Sequence, residues 1–159
     1  MREKRRVLDE SELAAVTGHV VDAALGVHRG LGPGLLESVY ELVLARELAR
    51  RGLSVRRQQP ISFEYDGLVF DSAFRIDLLV NDCVAIELKS VERLAAVHAK
   101  QLLTYLRLAD LRVGLLMNFG QSRLKDGLQR IVNELPFSAS PRLRVNRSSP
   151  GEAAQPDNP

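Results

Sequence analysis

The sequence predicts an α/β fold, and three patterns predict it. Apolar residues recur at helical spacing from Leu13 to Val27 and again from Leu35 to Leu48. Between Ser54 and Lys89 the period shortens to two, with turn residues at Asp66-Gly67 and Asn81-Asp82. A further helical pattern, Glu92 to Ala109, then separates this strand-rich stretch from an apolar run at Arg112 to Asn118, which suits a crossover to a parallel neighbour.

Asp9 followed by Glu12 has the form of a capping box for the first helix, whose core face is Leu13, Val16, Val20, Ala23, Ala24 and Val27. The helix is expected to end at His28-Arg29-Gly30, with His28 a cap or a packed ring rather than a ligand. Gly30-Leu31-Gly32-Pro33-Gly34 follows a helix and lacks a Gly-Lys-Ser/Thr ending, so it reads as a tight interhelical turn and not a phosphate loop. The second helix, about Leu35 to Arg51, is apolar nearly all round. Glu37 heads its Leu44/Leu48 side, where a carboxylate either finds a partner or stays wet in the first turn, favoured by the helix dipole.

Ser54–Gln59 and Ile61–Tyr65 are expected as extended segments broken at Pro60, followed by a turn at Asp66-Gly67 into Leu68–Ala73. Arg50, Arg51, Arg56 and Arg57 form the densest basic cluster, a solvated face or a phosphate contact. Ser90 is the expected cap of the helix over Glu92–Ala109, which gathers Leu94, His98, Gln101, Tyr105 and Leu108 on one side and Lys100, Thr104 and Arg107 on another. His98 alone is no metal site. Leu124, Leu128, Ile131 and Val132 predict a closing helix, with Gly127 a local cost. A single domain is expected over 1–137. From 138 to 159 the apolar period vanishes and a disordered tail is expected, its Arg142, Arg144 and Arg147 either solubilising or weakly attractive to nucleic acid.

The formal net charge is only +2, which neither demands nor excludes nucleic acid. The single cysteine, Cys83, rules out an internal disulfide, and the chain by itself cannot supply a Cys-ligated cluster or zinc ribbon. No apolar run approaches the roughly 18 residues of a membrane span, and the charged start lacks an apolar region behind it. A soluble, cytoplasmic protein without membrane contact is expected.

The stretch Arg75–Lys89 carries charges that a hairpin alone does not explain. With a three-residue loop, Asn81-Asp82-Cys83, Ile76 meets Leu88, Leu78 meets Ile86 and Val80 meets Val84, giving one apolar face. The same register sets Asp77 beside Glu87. Carboxylates so placed, with Cβ atoms about 5 Å apart, repel unless a cation or a proton lies between them. Two readings fit: a divalent-metal site with Lys89 two residues further on, or a solvated outer face that Lys89 partly neutralises.

Asp77 followed by Glu87-Leu88-Lys89 resembles the Asp … (Asp/Glu)-x-Lys signature of the PD-(D/E)XK nuclease superfamily. Gly34-Leu35-Leu36-Glu37-Ser38-Val39-Tyr40 is similar to the motif that names the GxxExxY family within it, and Gln101 through Tyr105 resembles the Gln-x-x-x-Tyr motif of its RecB-like nucleases. The position before Asp77 is Ile76 rather than Pro, and the cysteines of cluster-bearing relatives are absent. The resemblance spans about Leu13 to Asn133. It implies a restriction-endonuclease-like core, α-β-β-β-α-β with a central mixed sheet flanked by helices, here with an extra N-terminal helix and a C-terminal helix.

It also implies metal-dependent phosphodiester hydrolysis of nucleic acid, DNA before RNA. Asp77, Glu87 and Glu37 would hold Mg²⁺ or Mn²⁺, helped by the Leu88 carbonyl. The ion would activate a water that Lys89 orients, while Gln101 and Tyr105 position the substrate. Arg75 and Tyr40 are the expected nucleic-acid contacts, although an ion pair on the strand surface explains Arg75 equally well. A homodimer or larger complex stays open. The alternative is a nuclease-fold module that binds nucleic acid or a protein partner without cutting.

Overall fold

A computed structural model describes residues 8–134 and the backbone of 143–146. Two helices, α1 (Glu10–Leu31) and α2 (Glu37–Arg50), precede three strands, β1 (Val55–Tyr65), β2 (Leu68–Val80) and β3 (Val84–Lys89). Helix α3 (Ala96–Ala109) leads to β4 (Val113–Asn118), then a 3-10 turn (Leu124–Gly127), β5 (Leu128–Val132) and β6 (Leu143–Asn146). The sheet order is β5-β4-β3-β2-β1-β6. Only β3 and β4 run parallel, joined by α3 as the crossover.

The capping box forms as expected, Asp9 Oδ1 accepting from Glu12 N–H at 2.8 Å and Glu12 Oε2 from Asp9 N–H at 3.0 Å. Helix α1 runs past Gly30, and Gly32 terminates it at φ 72°. Helices α1 and α2 cover one sheet face, burying Val20, Val27, Leu44 and Leu48 with Leu78, Val80, Ile86 and Leu88. Helix α3 covers the other, packing Leu102, Leu106 and Ala109 against Ile61, Ile76, Leu79 and Ala85.

Four expectations are corrected. The chain from Leu128 to Val132 is a strand, because β4 offers it an open edge and Gly127 turns the backbone where a Cβ would come within 2.8 Å of the Asn118 carbonyl. Helix α3 begins at Ala96, and Ser90 does not cap it, since its hydroxyl donates to the Leu35 carbonyl. Strand β1 is continuous through Pro60; irregularities lie instead at Gln58, whose φ is 50°, and between Ile61 and Phe63, where the register with β2 shifts. Inside the expected tail, Leu143–Asn146 pairs with Ser62–Tyr65 of β1. The rest of that tail, with Arg142, Arg147 and the Arg144 side chain, lies outside the described residues.

Candidate active site

The β2–β3 hairpin closes through Asn81-Asp82-Cys83 in the expected register, Val80 opposite Val84 and Leu78 opposite Ile86. There the regular ladder ends. Ile76 does not join Leu88 on one apolar face, because it packs under α3 while Leu88 packs under α1 and α2. A kink shared by β1 and β2 at Gln58 and Asp77 reverses the alternation: Arg57 and Gln58 in succession both reach Glu41 of α2. The two strands β2 and β3 consequently part at the Asp77 level. Side chains take over the gap, with Asp77 Oδ2 accepting from Leu88 N–H at 2.9 Å and Glu87 Oε1 from Asp77 N–H at 3.4 Å.

Asp77 and Glu87 are thus brought together at a split in the sheet. Glu87 is 9% exposed. Burial first, and then the neighbouring Asp77 carboxylate, push Glu87 up to about 8, with Lys89 opposing. Burial also raises Asp77, as does the charge of Glu41, against the lowering effect of the Leu88 N–H, Gln58 and Lys89. Lys89, two residues beyond Glu87 on β3, is therefore in electrostatic reach of both acids. On the α3 side, Gln101 Nε2 donates to the Tyr105 hydroxyl at 2.8 Å, and that hydroxyl is raised by burial and by the charges of Glu87 and Asp77.

An open cleft of about 730 Å³ lies on the α2 side of the split, with Asp77, Gln58, Glu41 and Glu37 among its lining residues. Glu37 sits on its rim, where it accepts from Ser90 N–H at 3.3 Å. The loop after Lys89 is held there by Asn118, whose amide accepts from Val91 N–H and donates to Val91 O. Two site residues escape a reading of the sequence alone. Glu41, 7% exposed, binds Gln58 Nε2 at 2.7 Å and Arg57 Nε at 3.1 Å, and Gln58 Nε2 also reaches Asp77 Oδ1 at 3.3 Å. Glu41 carries a signal that could find it, since it follows Glu37 by one turn, about 40° round the helix. Gln58 carries none, because residue type does not announce a left-handed φ within a strand.

Tyr40 cannot contact nucleic acid as expected: it is 0% exposed, stacked on Phe119 at 4.4 Å. Its hydroxyl donates to the Gly32 carbonyl and accepts from Leu35 N–H, which fixes the glycine-rich turn ahead of α2. Arg75 is exposed on β2. His28 is a packed ring, its Nε2 2.8 Å from the Gln121 carbonyl, and His98 Nδ1 accepts from Ala95 N–H.

The donor set bears on a metal. Among the described residues no three His, Cys, Asp or Glu side chains converge closely enough to enclose an ion. Asp77 and Glu87 supply two hard oxygen donors whose mutual repulsion a cation would relieve. That suits Mg²⁺, which keeps several waters and is commonly held by one or two carboxylates together with substrate phosphate.

Residues 14–131 match the family model of the PD-(D/E)XK nuclease superfamily. No curated protein and no solved structure matches the chain.

Proposed function

The chain belongs to the PD-(D/E)XK nuclease superfamily, and from that premise we propose that it hydrolyses phosphodiester bonds of nucleic acid, DNA in the first instance, with Mg²⁺ or Mn²⁺ at Asp77 and Glu87. Nucleases of this superfamily generally use divalent metal ions. The observation that carries the proposal is the split between β2 and β3, where Asp77 and Glu87 lie side by side, each accepting from a backbone N–H of the opposite strand, with Glu87 buried. Without a chemical use, such a pair only costs stability.

Asp77 and Glu87 would hold the cation, and Glu37 on the cleft rim would join through water. When bound there, the ion supplies a Lewis acid that makes water a nucleophile near neutral pH and offsets phosphate charge. Lys89, whose charge acts on both acids, would orient the attacking water and stabilise charge gathering on the phosphate. Gln58 and the Leu88 N–H fix the Asp77 oxygens, so that carboxylate needs little reorganisation as charge develops. Gln101 and Tyr105 present an amide and a hydroxyl on the α3 side for positioning substrate, and Arg75 offers a backbone phosphate contact. A cytoplasmic setting fits a chain with a single cysteine, Cys83, and hence no internal disulfide.

The test is Mg²⁺- or Mn²⁺-dependent cleavage of single- and double-stranded DNA and RNA by the wild type and by Asp77→Ala, Glu87→Ala and Lys89→Ala. Cleavage is expected in the wild type alone, with a loss of about 100-fold or more in each variant. Equal background cleavage in all four proteins rejects the enzyme and leaves the non-catalytic binding module.

A further inference from the structure

The hairpin of β1 and β2 reaches well beyond the covered part of the sheet as an arm, and one face of it carries an ordered row of rings. Ile61 pairs with Phe74, Phe63 with Phe70, and Tyr65 with Leu68. Successive pairs on this row are two β1 residues apart, about 7 Å. Ile61 and Phe74 pack in the cluster under α3. The register shift between the Ile61 and Phe63 pairs places its extra residues on β2, around Ser72, so β1 keeps its alternation and carries Phe63 and Tyr65 on that same face. At the root, Phe74 stacks on Tyr105 at 4.0 Å with the rings 8° from parallel, and Tyr105 lies within the fields of Glu87 and Asp77. Further out, Phe63 and Phe70 stack at 4.9 Å.

The outer part of the row has no cover within the described residues. Phe70 is 44% exposed and Tyr65 46%. A surface meeting only water there gains nothing from large aromatic rings, whereas one meeting unpaired nucleobases does. Each base offers a π face that stacks on an aromatic side chain irrespective of base identity, worth about 1–3 kcal/mol. A duplex buries those faces between its own base pairs.

The charges agree with this direction. Glu64 points away from the ring row, since it alternates between Phe63 and Tyr65, and the arm's other acids, Asp66 and Asp71, lie at the turn and beside a bulge. Lys100 and Arg107 on the solvent side of α3 are exposed and have no ion-pair partner among the described residues, whereas Arg75, which alternates with Phe74, lies on the face opposite the rings. Phosphates are therefore drawn to the exposed side of α3, and the bases to the rings.

We propose that the α3-side face of the β1–β2 arm is a stacking platform for unpaired bases, so that the substrate is single-stranded nucleic acid, or a frayed end, led along Tyr65, Phe63/Phe70 and Phe74/Tyr105 to the Asp77–Glu87 split. This deepens the nuclease reading and rests on it only for the cleavage step, not for binding. DNA and RNA share the chemistry invoked and are separated by experiment.

Binding is measured by fluorescence anisotropy with the full chain in EDTA, so that no cleavage intervenes. The probes are a labelled oligothymidylate, an oligouridylate, an abasic oligomer of the same length and a blunt duplex. Wild type is expected to prefer the base-bearing single strands to both the abasic oligomer and the duplex. Phe70→Leu, which keeps an apolar side chain, is expected to weaken single-strand binding about 5- to 150-fold, the range that loss of one base stack corresponds to, and Phe70→Tyr to restore it. Because thymine carries a methyl group that uracil lacks, an oligodeoxyuridylate is added, and whichever of the deoxyuridylate and the uridylate binds tighter names the natural sugar. The chain has no Trp, so quenching of Tyr65 and Tyr105 emission on binding gives a second readout.

Equal binding of abasic and base-bearing oligomers, or of Phe70→Leu and wild type with unchanged melting curves, overturns the proposal. So does a wild-type dimer that Phe70→Leu dissolves, which would give the face to a second copy. Phe70-dependent binding without metal-dependent cleavage would reject the nuclease and leave the platform standing; cleavage with Phe70-independent binding would do the reverse.

Discussion

Between the ordinary carboxylate range and about pH 8, Glu87 keeps in the folded chain a proton that it gives up on unfolding. The folded state then binds more protons than the unfolded one, so its stability falls as pH rises across that window. Asp77, raised by burial and by Glu41, acts with the same sign. Melting followed by circular dichroism in EDTA is expected to show a lower Tm at pH 8 than at pH 5, and a divalent cation to restore Tm at pH 8. A Tm that climbs over this range would contradict the buried pair. Glu87→Gln removes the charge while keeping the shape. It is expected to flatten the pH dependence, to raise Tm at pH 8 without metal, and to abolish metal-dependent cleavage. The acids and Lys89 are legible in the sequence because charges interrupt an apolar strand at alternate positions. Gln58 is not: its role comes from a backbone angle, and a Gln in a strand carries no mark of it.

At the level of elements, the turn between α1 and α2 depends on one ring. Tyr40 satisfies the Gly32 carbonyl and the Leu35 N–H, so Tyr40→Phe leaves two backbone groups without their partner. A loss of about 1–2 kcal/mol is expected from denaturant midpoints. On the other side of the cleft, a Cβ at residue 120 would sit 2.2 Å from the Val91 carbonyl oxygen. Gly120→Ala must therefore displace backbone, and a larger loss, about 3 kcal/mol or more, is expected in the same measurement. The capping box is readable because its two bonds are local to Asp9 and Glu12. The run Leu124, Leu128, Ile131, Val132 misleads because its spacing also fits a helix, and what decides between the two is the free edge of β4, a partner distant in sequence.

For the molecule as a whole, the parallel β3–β4 pair and its crossover helix follow from the order of apolar periods. The hairpin register follows from matching faces, down to Leu78 and Ile86. The parting of β2 from β3 does not, because alternation assumes unbroken strands and the kink at Gln58 and Asp77 breaks two at once. Strand β6 is equally hidden: Leu143–Asn146 has too few apolar residues to stand out in a polar stretch, and only the waiting edge of β1 makes it a strand.

That last pairing has a consequence for how the chain keeps to itself. Leu143–Asn146 acts as a selvedge, occupying hydrogen-bonding groups of Ser62–Tyr65 that would otherwise invite a foreign strand. A version cut after Glu134 would bare that border beside Phe63 and Tyr65. Light scattering should then register concentration-dependent clumping that the intact polypeptide does not show, and a truncated chain that stays dispersed would mean the border is guarded by something else.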